Sequence, residues 1–280
     1  MPGDPLTRTV IDLDDALGCD ARLMLGGGFG LYLKQLHLAR SDDRTLLPRS
    51  RWPHARTTQD IDLFLRAEVV ADAGEMARYR GALDVLGFQV DPAAKWLKFA
   101  RQVEGHRVIV DLMVGPLGDF ESRVERRDFR VKPKGTTGVH ARAADDALSI
   151  DHEPLELIIE DDQRSCAVLI PQAFPFALMK LGALRDRIND QNKDEGRHHA
   201  LDLFRIVAML TESEDIVGAE LSSRHIDHPV VAEALRVVDE RFVDTRGLGR
   251  IRLFEHPLCP VDADADWFAS ELRRLIGGAA

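Results

Sequence analysis

The period of the apolar positions changes once along this chain, near Pro171. Up to that point, short apolar runs with strand alternation are separated by polar turns and a few helical stretches; beyond it the spacing is helical throughout. Residues 1–7 read as a loose end, and 10–17 as a short helix with Asp12, Asp14 and Asp15 on its solvent side. A short strand over 22–25 runs into Gly26, Gly27 and Gly28, after which Phe29, Leu33, Leu36 and Leu38 recur at helical spacing. Residues 61–65 form a strand opened by Asp60, and 75–86 a helix stopped by Gly87. Strands over 95–103 and 107–113 pair around Glu104-Gly105, and two further strands cover 155–159 and 166–170. Helices are expected over 173–187, 198–212, 228–240 and 264–276, with a mobile polar loop over 188–197. The pattern predicts an α+β fold: a mixed β-sheet core flanked by helices over 1–170 and a helical domain over 171–280.

With 280 residues, 45% of them hydrophobic and 30% charged, the chain has globular composition and enough length for a full core. Aromatic residues contribute 6%, so the core should rest on Leu, Val, Ile and Ala. Thirty-seven Lys and Arg against 47 Asp and Glu leave a net charge of -10, which argues against a general nucleic-acid coat, and no DNA partner is expected. A local basic groove stays open to it, because Arg44, Arg49, Arg51 and Arg56 lie in a loop over 41–56 and Arg126, Arg127, Arg130, Lys132 and Lys134 follow later. Cys19, Cys166 and Cys259 are far apart and odd in number, so they read as reduced, mostly buried thiols without zinc-ligand spacing. No apolar run reaches the roughly 18 residues of a membrane span, and a cytoplasmic location without membrane contact is expected.

The candidate chemistry begins with Asp60 and Asp62. Strand alternation puts both carboxylates on one face, with Ile61 and Leu63 on the other. Like charges held side by side repel unless a cation joins them, and oxygen-only ligands suit magnesium (Mg2+), with manganese (Mn2+) as its substitute. Asp111, which closes the run Val108-Ile109-Val110, offers a third carboxylate at a strand end. The glycine run before a helix suits close approach of a phosphate, or simply a tight turn. Lys180, in an apolar helical setting, is either a phosphate ligand or a surface lysine. Asp202 either pairs with a basic neighbour or fixes Lys180 in position. Asp145-Asp146 and Asp161-Asp162 read as solvated turns.

Taken together, these residues resemble the polymerase-beta-like nucleotidyltransferase superfamily, and most closely its abortive-infection type nucleotidyltransferase-like toxins. The resemblance lies in Gly26-Gly27, in Arg56-Thr57-Thr58-Gln59-Asp60-Ile61-Asp62-Leu63, in Asp111, and in Leu178-Met179-Lys180-Leu181-Gly182-Ala183-Leu184-Arg185 followed by an Asp-Leu helix. It covers about 20–210, with a longer interval than usual between Gly27 and Asp60 and a long loop that lets Asp194 compete with Asp202 for the last signature position. It implies a nucleotidyltransferase core, Mg2+ held by Asp60, Asp62 and Asp111, and a nucleoside triphosphate contacted through Gly26, Gly27, Arg56, Lys180 and Asp202. Some relatives are toxins beside a cognate antitoxin, some of them modifying transfer RNA ends. The reaction expected is transfer of a nucleoside monophosphate to an acceptor, RNA being one candidate, with release of pyrophosphate. The alternatives are a metal-dependent phosphate-ester hydrolase and a non-catalytic nucleotide- or partner-binding protein.

Overall fold

The computed structural model describes residues 4–19, 21–56 and 58–278; Met1 to Gly3 of the expected loose end and Thr57 of the arginine–aspartate motif lie outside the described residues. The architecture is α+β, a central mixed sheet flanked by helices and followed by a helical carboxy-terminal region. Helix α1 (Pro5–Ala16) starts earlier than the apolar spacing suggests, because Asp4 caps it by accepting from the Thr7 amide at 3.0 Å and Pro5 sits in its first turn.

Ten strands among the described residues build the sheet: β1 (Leu23–Leu25), β2 (Asp60–Leu65), β3 (Gln89–Val90), β4 (Lys98–Val103), β5 (His106–Val114), β6 (Val124–Arg127), β7 (Arg130–Pro133), β8 (Ala141–Ala143), β9 (Leu155–Asp161) and β10 (Arg164–Ile170). Their order is β6-β7-β8-β5-β2-β1-β10-β9, with β4 paired to the first part of β5 and β3 attached to β4. The pairs β2–β5, β5–β8 and β1–β10 are parallel; the others are antiparallel. Glu104 and Gly105 both take positive φ, 52° and 82°, as the two-residue turn between β4 and β5 requires. The basic stretch over 123–134 is a second hairpin, β6–β7, whose outward side chains are nearly all charged and so hide the alternation.

The helices after α1 are α2 (Gly27–Leu38), α3 (Ala67–Val70), α4 (Ala73–Val85), α5 (Ala173–Arg187), α6 (Lys193–Ala208), α7 (Glu212–His225), α8 (Pro229–Val238), α9 (Leu248–Phe254) and α10 (Ala265–Gly277). Helix α6 overturns the expected polar loop over 188–197: Asn192 accepts from the Asp194 amide and caps a helix that begins at Lys193. Helix α7 has weak amphipathic spacing, but Thr211 and Glu214 form a reciprocal capping box at its start.

The described residues fall into two units. The first holds 4–33, 58–145 and 151–171, and the second 34–56, 146–150 and 172–278. The first contains the whole sheet. Its central strands are buried, with Ile61, Leu63, Val110 and Leu112 all but inaccessible. In the second, Phe268 packs edge to face against Phe242 and tilted against Phe204 in the helical core, so phenylalanine carries more of the packing than the aromatic content suggested.

Candidate functional site

In the first unit, β2 and β5 run parallel with Asp62 directly opposite Asp111, so these two carboxylates project from the same face of the sheet. Asp60, two residues earlier on β2, shares that face, while Ile61 and Leu63 are buried on the other. Asp111 does not end its strand, as the apolar run had suggested; β5 continues to Val114, which leaves Asp111 inside the sheet and 4% exposed.

The same face carries two cations. Lys98 of β4 is the cross-strand partner of Asp111, and its Nζ lies 3.1 Å from Asp111 Oδ2 and 3.8 Å from Asp60 Oδ2. Arg142 of β8 brings its Nε within 3.7 Å of Asp111 Oδ2 and rests its guanidinium 4.9 Å from the centre of the Phe129 ring. Burial raises the Asp111 carboxyl above the ordinary carboxylate range, against the opposing pull of Lys98 and Arg142. For Lys98, burial alone would lower the ammonium, but attraction to Asp111, with Asp60 and Asp62 behind it, leaves it raised. Asp111 Oδ1 is buried with no hydrogen-bond partner. A buried, orphaned carboxylate oxygen is costly, and a cation would satisfy it.

The glycine run abuts this face. The Gly26 amide donates to the Asp62 carbonyl at 2.9 Å, and a Cβ on Gly26 would come 2.6 Å from the Phe64 ring. Gly27 takes φ +62°, and a Cβ there would overlap the Asp62 carboxylate. These two glycines therefore let the chain turn from β1 into α2 in contact with β2 and set the first turn of α2 beside Asp62. The alternatives of tight turn and phosphate approach are thus compatible, since the turn itself brings helix amides to the carboxylate face.

The second unit holds a separate buried ion cluster. Asp202 on α6 is fully buried; its Oδ2 accepts from Lys180 Nζ at 2.7 Å and from Arg56 Nη2 at 3.2 Å, and its Oδ1 from Arg205 Nη1 at 3.1 Å. Arg205 also donates to Gln35 Oε1 at 2.6 Å. Burial alone would raise the Asp202 carboxyl, but Lys180, Arg56 and Arg205 together hold it well below the usual carboxylate range. Lys180 is thus a buried ion-pair partner, 6% exposed, and not a surface lysine. Asp194, by contrast, is exposed in the first turn of α6 and pairs with Arg197. His199 sits beside the cluster with both ring nitrogens buried and unpartnered. Burial first, then the Lys180 ammonium, push its imidazole down to about 3, so it is neutral near pH 7.

A third cluster lies at the end of α1. The ligand atoms of Asp14, Asp15 and Cys19 all lie within 4.8 Å of one another, so this acidic and thiol group can coordinate a metal ion and fits a metal-dependent catalytic or binding function. It corrects two expectations. Asp14 is buried and accepts from the Ala21 amide, where it had been placed on the solvent side of its helix. Cys19 is exposed and joins a candidate ligand set, although cysteine spacing along the chain suggested none. Among the turn aspartates, Asp161 is also less solvated than expected, because Arg164 and Arg8 close over it.

The basic loops are largely engaged. Arg49 donates to the carbonyls of Ala39 and Ser41 at the end of α2, Arg51 pairs with Asp262 at 2.8 Å, and Arg126 and Lys132 pair with Asp145 and Glu125. No helix among the described residues is long and apolar enough to cross a membrane. No family model, no curated protein and no solved structure matches this chain.

Proposed function

We propose that the protein is a metal-dependent nucleotidyltransferase that moves the nucleoside monophosphate of a nucleoside triphosphate onto an acceptor hydroxyl. The observation that carries the reading is the shared face of Asp60, Asp62 and Asp111 with the glycine turn packed against Asp62. It is the arrangement that the resemblance to abortive-infection type nucleotidyltransferase-like toxins implies for these residues.

Asp60, Asp62 and Asp111 would hold the divalent cation, Mg2+ or Mn2+. The donors are all carboxylate oxygens, Asp111 Oδ1 lacks a partner, and three carboxylates outnumber the two cations, Lys98 and Arg142, on that face. The chemistry a cation would supply there is neutralisation of phosphate oxygens and acidification of an attacking hydroxyl. The acceptor oxygen forms its bond to the α-phosphorus as the bond to the bridging oxygen breaks, and the electron pair leaves with pyrophosphate. Asp111, on the same face as Asp60 and Asp62, would help to bridge the metal or accept the hydroxyl proton. Gly26 and Gly27 open the first turn of α2, whose amides suit phosphate oxygens. In the second unit Lys180, Arg56 and Arg205 surround Asp202, and it is the resemblance that gives Lys180 and Arg56 to the nucleotide with Asp202 holding both in place.

The test is incubation with each labelled nucleoside triphosphate, Mg2+ and total cellular RNA. Label should pass to an acceptor with release of pyrophosphate, and Asp62→Ala should abolish the transfer. Loss of the terminal phosphate without a labelled acceptor would replace this reading with phosphate-ester hydrolysis. RNA is one candidate acceptor, suggested by the arginines over 40–56, of which Arg49, Arg51 and Arg56 already hold partners within the chain. Neutralising Arg44, Arg49 and Arg51 together should flatten the salt dependence of RNA binding, by roughly 0.7 in slope for each phosphate no longer neutralised. Unchanged slopes would point to a small-molecule or protein acceptor.

A further inference from the structure

Three carboxylates on one face of a sheet need compensation before any metal arrives, and in this fold the compensation comes from the hairpin. Lys98 lies opposite Asp111 across β4–β5, with its ammonium between Asp111 Oδ2 and Asp60 Oδ2, 3.1 Å from the first and 3.8 Å from the second. A divalent cation bound to Asp60 and Asp111, through either Asp111 oxygen, would sit about 2.0–2.6 Å from its ligand oxygens and so beside the ammonium. The ammonium and the metal ion would then compete for the same carboxylates as like charges in a partly buried place, where repulsion is poorly screened.

We propose that Lys98 is the resident counter-ion of the carboxylate site and is exchanged for the divalent cation when the metal loads. The inference rests on the assignment of Asp60, Asp62 and Asp111 as metal ligands. Lys98 is the cation able to leave. Its side chain is 26% exposed on a flexible four-carbon stem, which offers a route to solvent. Arg142 has comparable exposure, but its guanidinium is stacked on Phe129 and its Nε stands farther from Asp111 than the Lys98 ammonium does. Lys98 thereby bridges Asp111 and Asp60 in the metal-free fold and sets a threshold for metal loading, because the metal has to displace it.

The experiment measures Mn2+ binding directly, by the loss of the free-ion paramagnetic resonance signal, in the parent, Lys98→Met, Lys98→Arg and Asp62→Asn. With the competitor removed, Lys98→Met should bind Mn2+ more tightly, by about tenfold or more, while Lys98→Arg stays near the parent. In chelator the order of thermal stability should reverse, with Lys98→Met melting lowest. A second measurement uses the parent alone: acylation of Lys98 by an amine-reactive reagent, read by mass spectrometry, should be faster with Mn2+ than in chelator. Asp62-dependent binding in the parent, with the same affinity in Lys98→Met and no change in Lys98 acylation, would overturn the exchange and leave the metal site intact. Parent binding that is absent, or that Asp62→Asn leaves unchanged, would remove the metal site and the exchange with it. If Lys98→Met does not fold, the acylation rate of the parent decides between exchange and a fixed ion pair.

Discussion

Gly27 shows how much one residue type contributes at the carboxylate face. Its φ of +62° is strained for any side chain, and a Cβ would overlap the Asp62 carboxylate. Gly27→Ala should therefore lose about 1–3 kcal/mol in urea unfolding and should also weaken Mn2+ binding. Gly18 supplies the control: its φ is +93° with nothing within 4 Å of a built Cβ, so Gly18→Ala should cost backbone strain alone. Equal Mn2+ affinity in Gly27→Ala and the parent would refute the steric link between Gly27 and the carboxylates. His199 makes a pH-dependent contribution. Its folded value of about 3 lies below the unfolded value of about 6.5, so between the two only the unfolded chain binds the proton. Stability is then lost as pH falls from about 6.5 toward 3, by up to roughly 1.4 kcal/mol per pH unit. Unfolding free energies measured from pH 8 down to pH 5 should show this fall in the parent and a shallower one in His199→Gln. Parallel pH profiles for the two proteins would refute the assignment.

At the scale of elements, helices α5 and α6 are joined through a cluster in which the two ends of the Lys180–Asp202 pair are not equivalent. Removing Asp202 strips Lys180, Arg205 and Arg56 of their shared counter-charge, whereas removing Lys180 leaves Asp202 with two arginines. Asp202→Ala should therefore cost about 3–5 kcal/mol. Lys180→Ala should cost distinctly less while reducing nucleotide affinity. Similar losses in urea unfolding would mean that Lys180 and Asp202 act as an isolated pair and that the surrounding cations contribute little. The helix itself makes room elsewhere. A Cβ on Gly182 would overlap the Asp146 carboxylate, which gives the glycine in the middle of α5 a packing reason.

For the molecule as a whole, two separate groups compete for the description of metal centre: the three-carboxylate face of β2 and β5, and Asp14, Asp15 and Cys19 at the end of α1. A metal that binds only the folded state raises its stability by about 2.7 kcal/mol at a hundred times its dissociation constant. Addition of Mg2+ or Mn2+ should raise the melting temperature, and chelator should reverse the shift. We expect Asp62→Asn to abolish the shift and Cys19→Ser to leave it in place. The opposite pattern would transfer the metal function to the α1 cluster and deprive the proposed transferase of its cation.

Local rules determined a good part of this protein. Alternation put Asp60 and Asp62 on one face, β2 opens at Asp60 as read, and α5 spans the range its spacing predicts. The arrangement of Lys98 was also within reach, because a two-residue turn at Glu104-Gly105 sets the β4–β5 register and puts residue 98 opposite 111. Arg205 lies one helical turn from Asp202, a spacing visible in the chain. Other features were illegible for physical reasons. The β6–β7 hairpin is charged on its open face and has almost no apolar alternation, and α7 is set by a capping box more than by an apolar stripe. Burial belongs to the tertiary structure alone. Local pattern leaves Asp14 and Lys180 to solvent and Asp111 to a strand end; all three are buried, Asp111 and Lys180 against partners that other elements bring to them. The pairing of Asp62 with Asp111 and the union of Arg56 with Lys180 and Asp202 depend on which strands and helices become neighbours, whereas Cys19 meets Asp14 and Asp15 through the local turn that ends α1. Residue spacing settles the face a side chain takes, and only the packed chain settles what it meets there.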